Sequence, residues 1–326
     1  MPENTPSPRS PVMDLMALRS VTELPVTQHH VLDPEVLRTV AAVDRVGDLT
    51  RFNVAEVPEL AHLSSPPELL APDEHGWALG HALSLAVEHG QRLWLSEVTP
   101  AQLERLRAVV GEELVHIASP DEPGDAGSDA DGNVVVAVSP RRLLDEWATG
   151  TPAQISYLRT VLEGTDPLRV SRHTLAALHE AEVDLVPRSG IVRLLHNPRF
   201  LAYAAVFIYS SLRALPAVYA PGFRGNLWVL WTIDIVTAGP YAWGIIAMVA
   251  GRRRRIRFAG FLVTLITFVL PYVYFFFAGS HGDGNHYPGW VIMVVIGLVL
   301  ATFLLEGGHW LRDVAVARGL RTSQTG

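Results

Sequence analysis

Four long apolar runs fill the last 130 residues of this chain, at roughly Phe200–Ala220, Leu227–Ala250, Phe258–Gly279 and Tyr287–Leu305. At about 1.5 Å of rise per residue, each run covers roughly the 30 Å of hydrocarbon in a bilayer. Backbone polar groups in lipid must be satisfied within the segment, so the pattern predicts four transmembrane helices. They make an all-α four-helix transmembrane bundle over 200–311, with a connector at 191–199 before it and a tail at 312–326 after it.

Charge divides the chain in the same way. Residues 1–196 carry 29 acids and 15 arginines, a net of −14, and residues 197–326 carry 4 acids and 11 arginines, a net of +7. An acidic surface repels a phosphate backbone, so nucleic acid is not an expected partner. All 26 basic residues are arginine, which excludes Schiff-base lysines and the lysine of a phosphate loop. Cysteine is absent too, removing disulfides, thiolate metal sites and cysteine nucleophiles. The start Met1-Pro2-Glu3-Asn4 has no basic flank leading into an apolar stretch, so no cleavable signal peptide is expected.

Arginine placement predicts the topology, because cytoplasmic loops are enriched in Arg and Lys. Arg188, Arg193 and Arg199 precede the first run, Arg252–Arg255 and Arg257 join the second to the third, and Arg312, Arg318 and Arg321 follow the fourth. The other side has Arg224 alone. Eleven against one puts both termini in the cytoplasm of a bacterial cell, with the chain crossing the cell membrane several times. Tyr219, Trp228, Tyr274, Tyr287 and Trp290 fall at the expected outer interface and Trp310 at the inner one. Pro216, Pro240 and Pro271 lie inside three runs, where kinks are expected.

Residues 1–12 read as a disordered tail and 13–190 as a cytoplasmic domain. Asp33 caps a helix with Pro34 at its first turn, an apolar stripe of Val36, Val40 and Val43, and Gly47 as its stop. Helices follow at about 77–89, 101–110, 140–148, 152–162 and 173–182. Strands are expected at 92–96, 114–118, 134–138 and 183–186, with loops at 64–73 and 121–133. Strands alternating with amphipathic helices predict a small α/β domain with a partly parallel sheet.

Candidate sites are few. Arg213 in the first run and Asp234 in the second are equally far from the turn at 221–226, so an antiparallel hairpin puts them at matched depth. A lone charge there costs several kcal/mol, so the two are expected to pair. The pair either fixes the hairpin or, with Ser210, Ser211, Thr232 and Thr237, lines a path for an ion, proton or small anion. Glu306 and His309 could extend such a path, although their interfacial depth favours simple solvation. The outer loop brings His281, Asp283 and His286 within six residues, ligand types that zinc accepts at a spacing that matches no established site. His81, Ser84 and Glu88 share a face of the 77–89 helix and offer acid–base groups, while polar surface is the ordinary role of such residues. Asp125, Asp129 and Asp131 lack the first oxygen ligand and final glutamate of a calcium loop, and His179-Glu180 lacks a second histidine. No cofactor is implied.

The strings Val218-Tyr219-Ala220-Pro221-Gly222-Phe223, Leu230-Trp231-Thr232-Ile233-Asp234 and Pro271-Tyr272-Val273-Tyr274-Phe275 resemble a group of four-helix integral membrane proteins from high-GC actinobacteria that has no established activity. The resemblance covers the last 130 residues, implies the topology, and transfers no catalytic residue. The expectation for function is a non-enzymatic regulatory, sensing or assembly module tethered to the membrane. The alternatives are a small oligomeric transporter or channel subunit using Arg213 and Asp234, and a membrane-anchored enzyme using His81 and Glu88. Expected partners are the lipid bilayer and either further copies of the chain or a membrane or cytosolic protein.

Overall fold

The computed structural model describes residues 21–63, 74–119, 132–212, 226–251, 254–277 and 289–322. They form two compact units, one from the residues up to Arg188 together with those from Trp310 onward, the other from Ser189–His309.

The first unit is built on a four-stranded mixed sheet: β1 (Val54–Glu56), β2 (Leu93–Val98), β3 (Val115–Ile117) and β4 (Val134–Val138). The spatial order is β1-β2-β4-β3, with β1 parallel to β2 and the other two pairings antiparallel. The partly parallel sheet is therefore present, in a chain that is mostly helical. All five residues of β4 are buried, as an unbroken Val-Val-Val-Ala-Val run requires of a strand covered on both faces. Val134, Val136 and Val138 face one core with Trp94 and Val98, while Val135 and Ala137 face a second with Leu93 and Leu95.

On the first face pack α3 (Glu74–His89), α4 (Pro100–Val110), α5 (Pro140–Ala148), α6 (Pro152–Val161) and α7 (Arg172–Glu180), which enclose Trp94, Trp147 and Tyr157. Their starts are set locally. Thr99 with Gln102, and Thr151 with Gln154, form reciprocal capping boxes, and Ser171 accepts from the Thr174 N–H. On the second face pack α1 (Pro25–His29) and α2 (Pro34–Val40), with Asp33 accepting from the Glu35 N–H as the sequence predicts. This helix stops at Val40 rather than running to Gly47. Ala42 adopts a left-handed φ of 49°, and the Val43 N–H reaches back to the Arg38 carbonyl at 3.1 Å, a Schellman-type ending made without glycine. Residues 183–186 form no strand of the sheet. Val183 and Leu185 are buried, while Gly164 donates to Asp184 O and Val186 to Thr165 O. Strand β1 has three residues, too short for the sequence pattern to reveal.

The second unit contains α8 (Gly190–Leu195), α9 (Pro198–Leu212), α10 (Leu227–Ala250), α11 (Arg254–Phe277) and most of α12 (Gly289–Arg321). Of the four expected spans, the second matches its helix at both ends. Among the described residues, Leu227–Val249 is the helix long and apolar enough to cross a membrane, and Phe200–Leu212 is a shorter apolar helix. Helices α10 and α11 both continue through their prolines, Pro240 and Pro271.

The largest departure lies at the C-terminal end, where a free tail is expected from residue 312. Helix α12 instead continues to Arg321, and its residues from Trp310 belong to the first unit. Val316 and Leu320 are 1% and 0% exposed in the second core, beside Val21, Leu32, Leu37 and Leu49. The Leu32 N–H donates to Leu320 O at 2.8 Å, and the Gly47 N–H to Asp313 Oδ1 at 3.1 Å. A β-carbon on Gly319 would lie 2.9 Å from the Thr22 methyl, so a larger residue there would push the Thr22 side chain aside.

Candidate functional site: a buried polar seam among the apolar helices

The second unit places polar groups inside and apolar groups outside. Ser210 on α9, Asp234 and Thr237 on α10, and Thr264 and Thr267 on α11 are all buried, Asp234 at 1% exposure. Ile208, Trp228, Val236, Ile266, Phe303 and Leu304 are each more than half exposed. The threonine hydroxyls are satisfied within their own helices: Thr237 donates to Ile233 O (2.8 Å), Thr264 to Gly260 O (2.8 Å) and Thr267 to Val263 O (2.6 Å). Among the described residues, Ser210 Oγ has no hydrogen-bond partner.

Glycine sets the closeness of α10 and α11. A β-carbon on Gly244 would lie 2.5 Å from Thr264 Oγ1 and 2.9 Å from Gly260 O. One on Gly260 would lie 2.6 Å from Met248 N and 2.7 Å from Gly244 O. The two backbones touch here, the arrangement by which small residues hold helices together in lipid. Tyr241 and Phe268 pack beside this contact, with Val206 of α9 against them. The carboxylate of this seam, on Asp234, is 1% exposed.

A second polar knot lies elsewhere in this unit. Arg257, 5% exposed at the start of α11, forms a two-pronged ion pair with Glu306 of α12: Nη2 donates to Oε2 at 3.1 Å and Nε donates to Oε1. Its Nη1 also donates to Gly251 O (2.9 Å), the C-cap of α10, so one guanidinium ties three helices. Sequence reading groups Arg257 with the loop arginines and leaves Glu306 to solvent. Both assignments are corrected here. The available signal is that Glu306 is the one acid between Asp283 and Asp313.

The remaining sequence candidates do not converge. His81 and Glu88 are exposed on α3, whereas Ser84 turns inward to hydrogen-bond Thr165 Oγ1 at 2.9 Å. Arg213 lies outside the described residues, as do His281, Asp283 and His286. Among the described residues, no cluster of three or more His, Asp or Glu side chains could hold a metal ion. Sequence reading missed His30, which is 1% exposed in the first unit with Nε2 3.3 Å from Glu97 Oε2. Asn133 Nδ2 donates to the other oxygen of Glu97 at 2.7 Å. Such a dyad orients a side chain. On strand β3, burial and then the Arg142 guanidinium hold His116 below the usual imidazole range.

Comparison with family models, with curated proteins and with solved structures finds no match to this chain.

Proposed function

We propose that this chain is a multi-pass protein of the bacterial cell membrane whose cytoplasmic α/β unit acts as a non-enzymatic regulatory, sensing or assembly module. The observation that carries this reading is the inverted second unit, with Asp234, Ser210, Thr264 and Arg257 buried while Ile208, Val236, Ile266, Phe303 and Leu304 are exposed. Water would favour the reverse distribution, and lipid favours this one. Four crossings near 200–220, 227–250, 258–279 and 287–305 belong to the proposal.

Its topology has independent support. Residues on both sides of the second unit share one core through Val316 and Leu320. In this reading they lie on the same side of the bilayer, with an even number of crossings between them. With Arg257 set aside as a buried helix residue, the remaining ten-to-one arginine bias favours the cytoplasm for that side. A transporter or channel subunit built from several copies is the second reading, favoured by the buried Ser210 hydroxyl, which has no hydrogen-bond partner among the described residues.

The absence of native cysteine makes the test direct. Glu104→Cys in the first unit and Asp283→Cys in the expected outer loop would each be treated with a membrane-impermeant maleimide on intact cells. The expected result is a carbonate-resistant membrane protein labelled at residue 283 from outside and at residue 104 only after permeabilisation. Recovery as a water-soluble protein without detergent, or labelling of residue 104 on intact cells, overturns the reading. In sealed vesicles, ion leak at the level of empty vesicles is expected. A leak abolished by Asp234→Asn would transfer the assignment to transport.

A further inference from the structure

We infer that Gly307 and Gly308 form a hinge in α12, at which the chain passes from the apolar unit to the α/β unit. After proline, glycine is the least favourable residue in a helix interior, so two in succession need a reason. At Gly80, Gly244, Gly260 and Gly319 that reason is close packing, since a β-carbon on each would meet another atom within 3 Å, whereas the single helical glycines Gly239 and Gly297 have open space around them. At Gly307 and Gly308 a β-carbon would meet nothing within 4 Å, so packing does not explain the pair. Loss of backbone stiffness is what remains.

The surroundings fit a hinge. Just before the pair, Glu306 is clamped by Arg257 within the apolar unit. Just after it, Asp313 accepts from the Gly47 N–H, with Arg45 Nε 3.9 Å from its other oxygen, within the α/β unit. Between these two anchors Gly307, Gly308, Trp310 and Leu311 are all exposed, and the boundary between units falls after His309. A weak stretch of helix pinned at each end and unsupported by packing concentrates bending at one place. The inference deepens the module reading, because it supplies a way for the α/β unit to reorient while its own core stays closed over Val316 and Leu320. The hinge itself does not require a bilayer.

The test uses the full-length protein with nitroxide labels at Glu104→Cys and Val249→Cys, sites that are exposed in the α/β unit and the apolar unit respectively. Pulsed-EPR distance distributions are recorded for this background, for Gly307→Ala/Gly308→Ala, and for Gly297→Ala. The last is a control on the same helix, also with open space around it. The expected result is a broad distribution that narrows in the double variant and keeps its width in the control. Amide exchange over 307–311 is expected to slow roughly tenfold or more in the double variant. Equal widths in all three proteins, equal narrowing in the control, or unchanged exchange overturns the hinge. If the protein proves water-soluble, the same measurement in buffer still decides the hinge, while the membrane reading fails separately.

Discussion

Replacing Leu320 by alanine tests whether the end of α12 is part of the α/β core or only lies against it. Leu320 is fully buried among Val21, Leu32 and Leu37, so the change removes buried methyl groups and leaves a cavity behind them. Such substitutions cost about 2–5 kcal/mol, and a site in the last helical turn can collapse more readily than one in mid-element. We expect about 2–3 kcal/mol, a large share of the roughly 5–15 kcal/mol that holds a typical domain together. The backbone bond from Leu32 to Leu320 O survives the change, so the loss is one of packing. Leu311→Ala is the control, since Leu311 is 61% exposed and its truncation should cost less than about 0.5 kcal/mol. Amide exchange at Leu32, Leu37 and Leu49 in the full-length protein reads the effect where it should appear. If both variants protect these amides equally, Leu320 does not close the core, and the even-crossing argument loses its footing.

Two further outcomes are expected. Glu306→Gln strips the carboxylate from a 5%-exposed guanidinium and should destabilise the apolar unit by about 3 kcal/mol, whereas Arg257→Met leaves a half-exposed carboxylate and should cost only about 1–2 kcal/mol. Thermal unfolding in detergent checks the asymmetry, and equal losses would mean that the pair is not buried as described. The depressed pKa of His116 means that the unfolded chain binds the proton more readily than the folded one. Its contribution to stability is therefore complete above the ordinary value of 6.5 and is lost as pH falls through the lower folded value. Urea midpoints between pH 7 and 5 should fall less steeply in His116→Gln than in the parent.

What the sequence disclosed was local. Val134–Val138 announces itself as a covered strand because both faces are apolar. The Asp33-Pro34 start and both ends of α10 follow from short-range rules of capping and hydropathy. The misses are contacts between residues far apart in the chain. Arg257 and Glu306 are 49 positions apart, so neither string reveals its partner. Val316 and Leu320 are spaced as helix neighbours, but the groove they fill is made by residues 21–49, and a short pair of apolar residues among arginines reads as solvated tail. Strand β1 exists because β2 offers it a parallel edge, which no property of Val54-Ala55-Glu56 foretells. Of the seam, Asp234 stands out as a charge in an apolar run, while the Gly244–Gly260 contact appears only once α10 and α11 are side by side.

The return of α12 to the first unit also orders events during synthesis. Leu320 leaves the ribosome about 130 residues after Arg188, and at roughly 5–20 residues per second that is a delay on the order of ten seconds. Through that interval the nascent amino-terminal half holds an open, greasy cleft beside Leu32 and Leu37. Its maturation must wait until the intervening stretch has been made, so a chain that stalls before then is left with an unfinished domain for proteases to find.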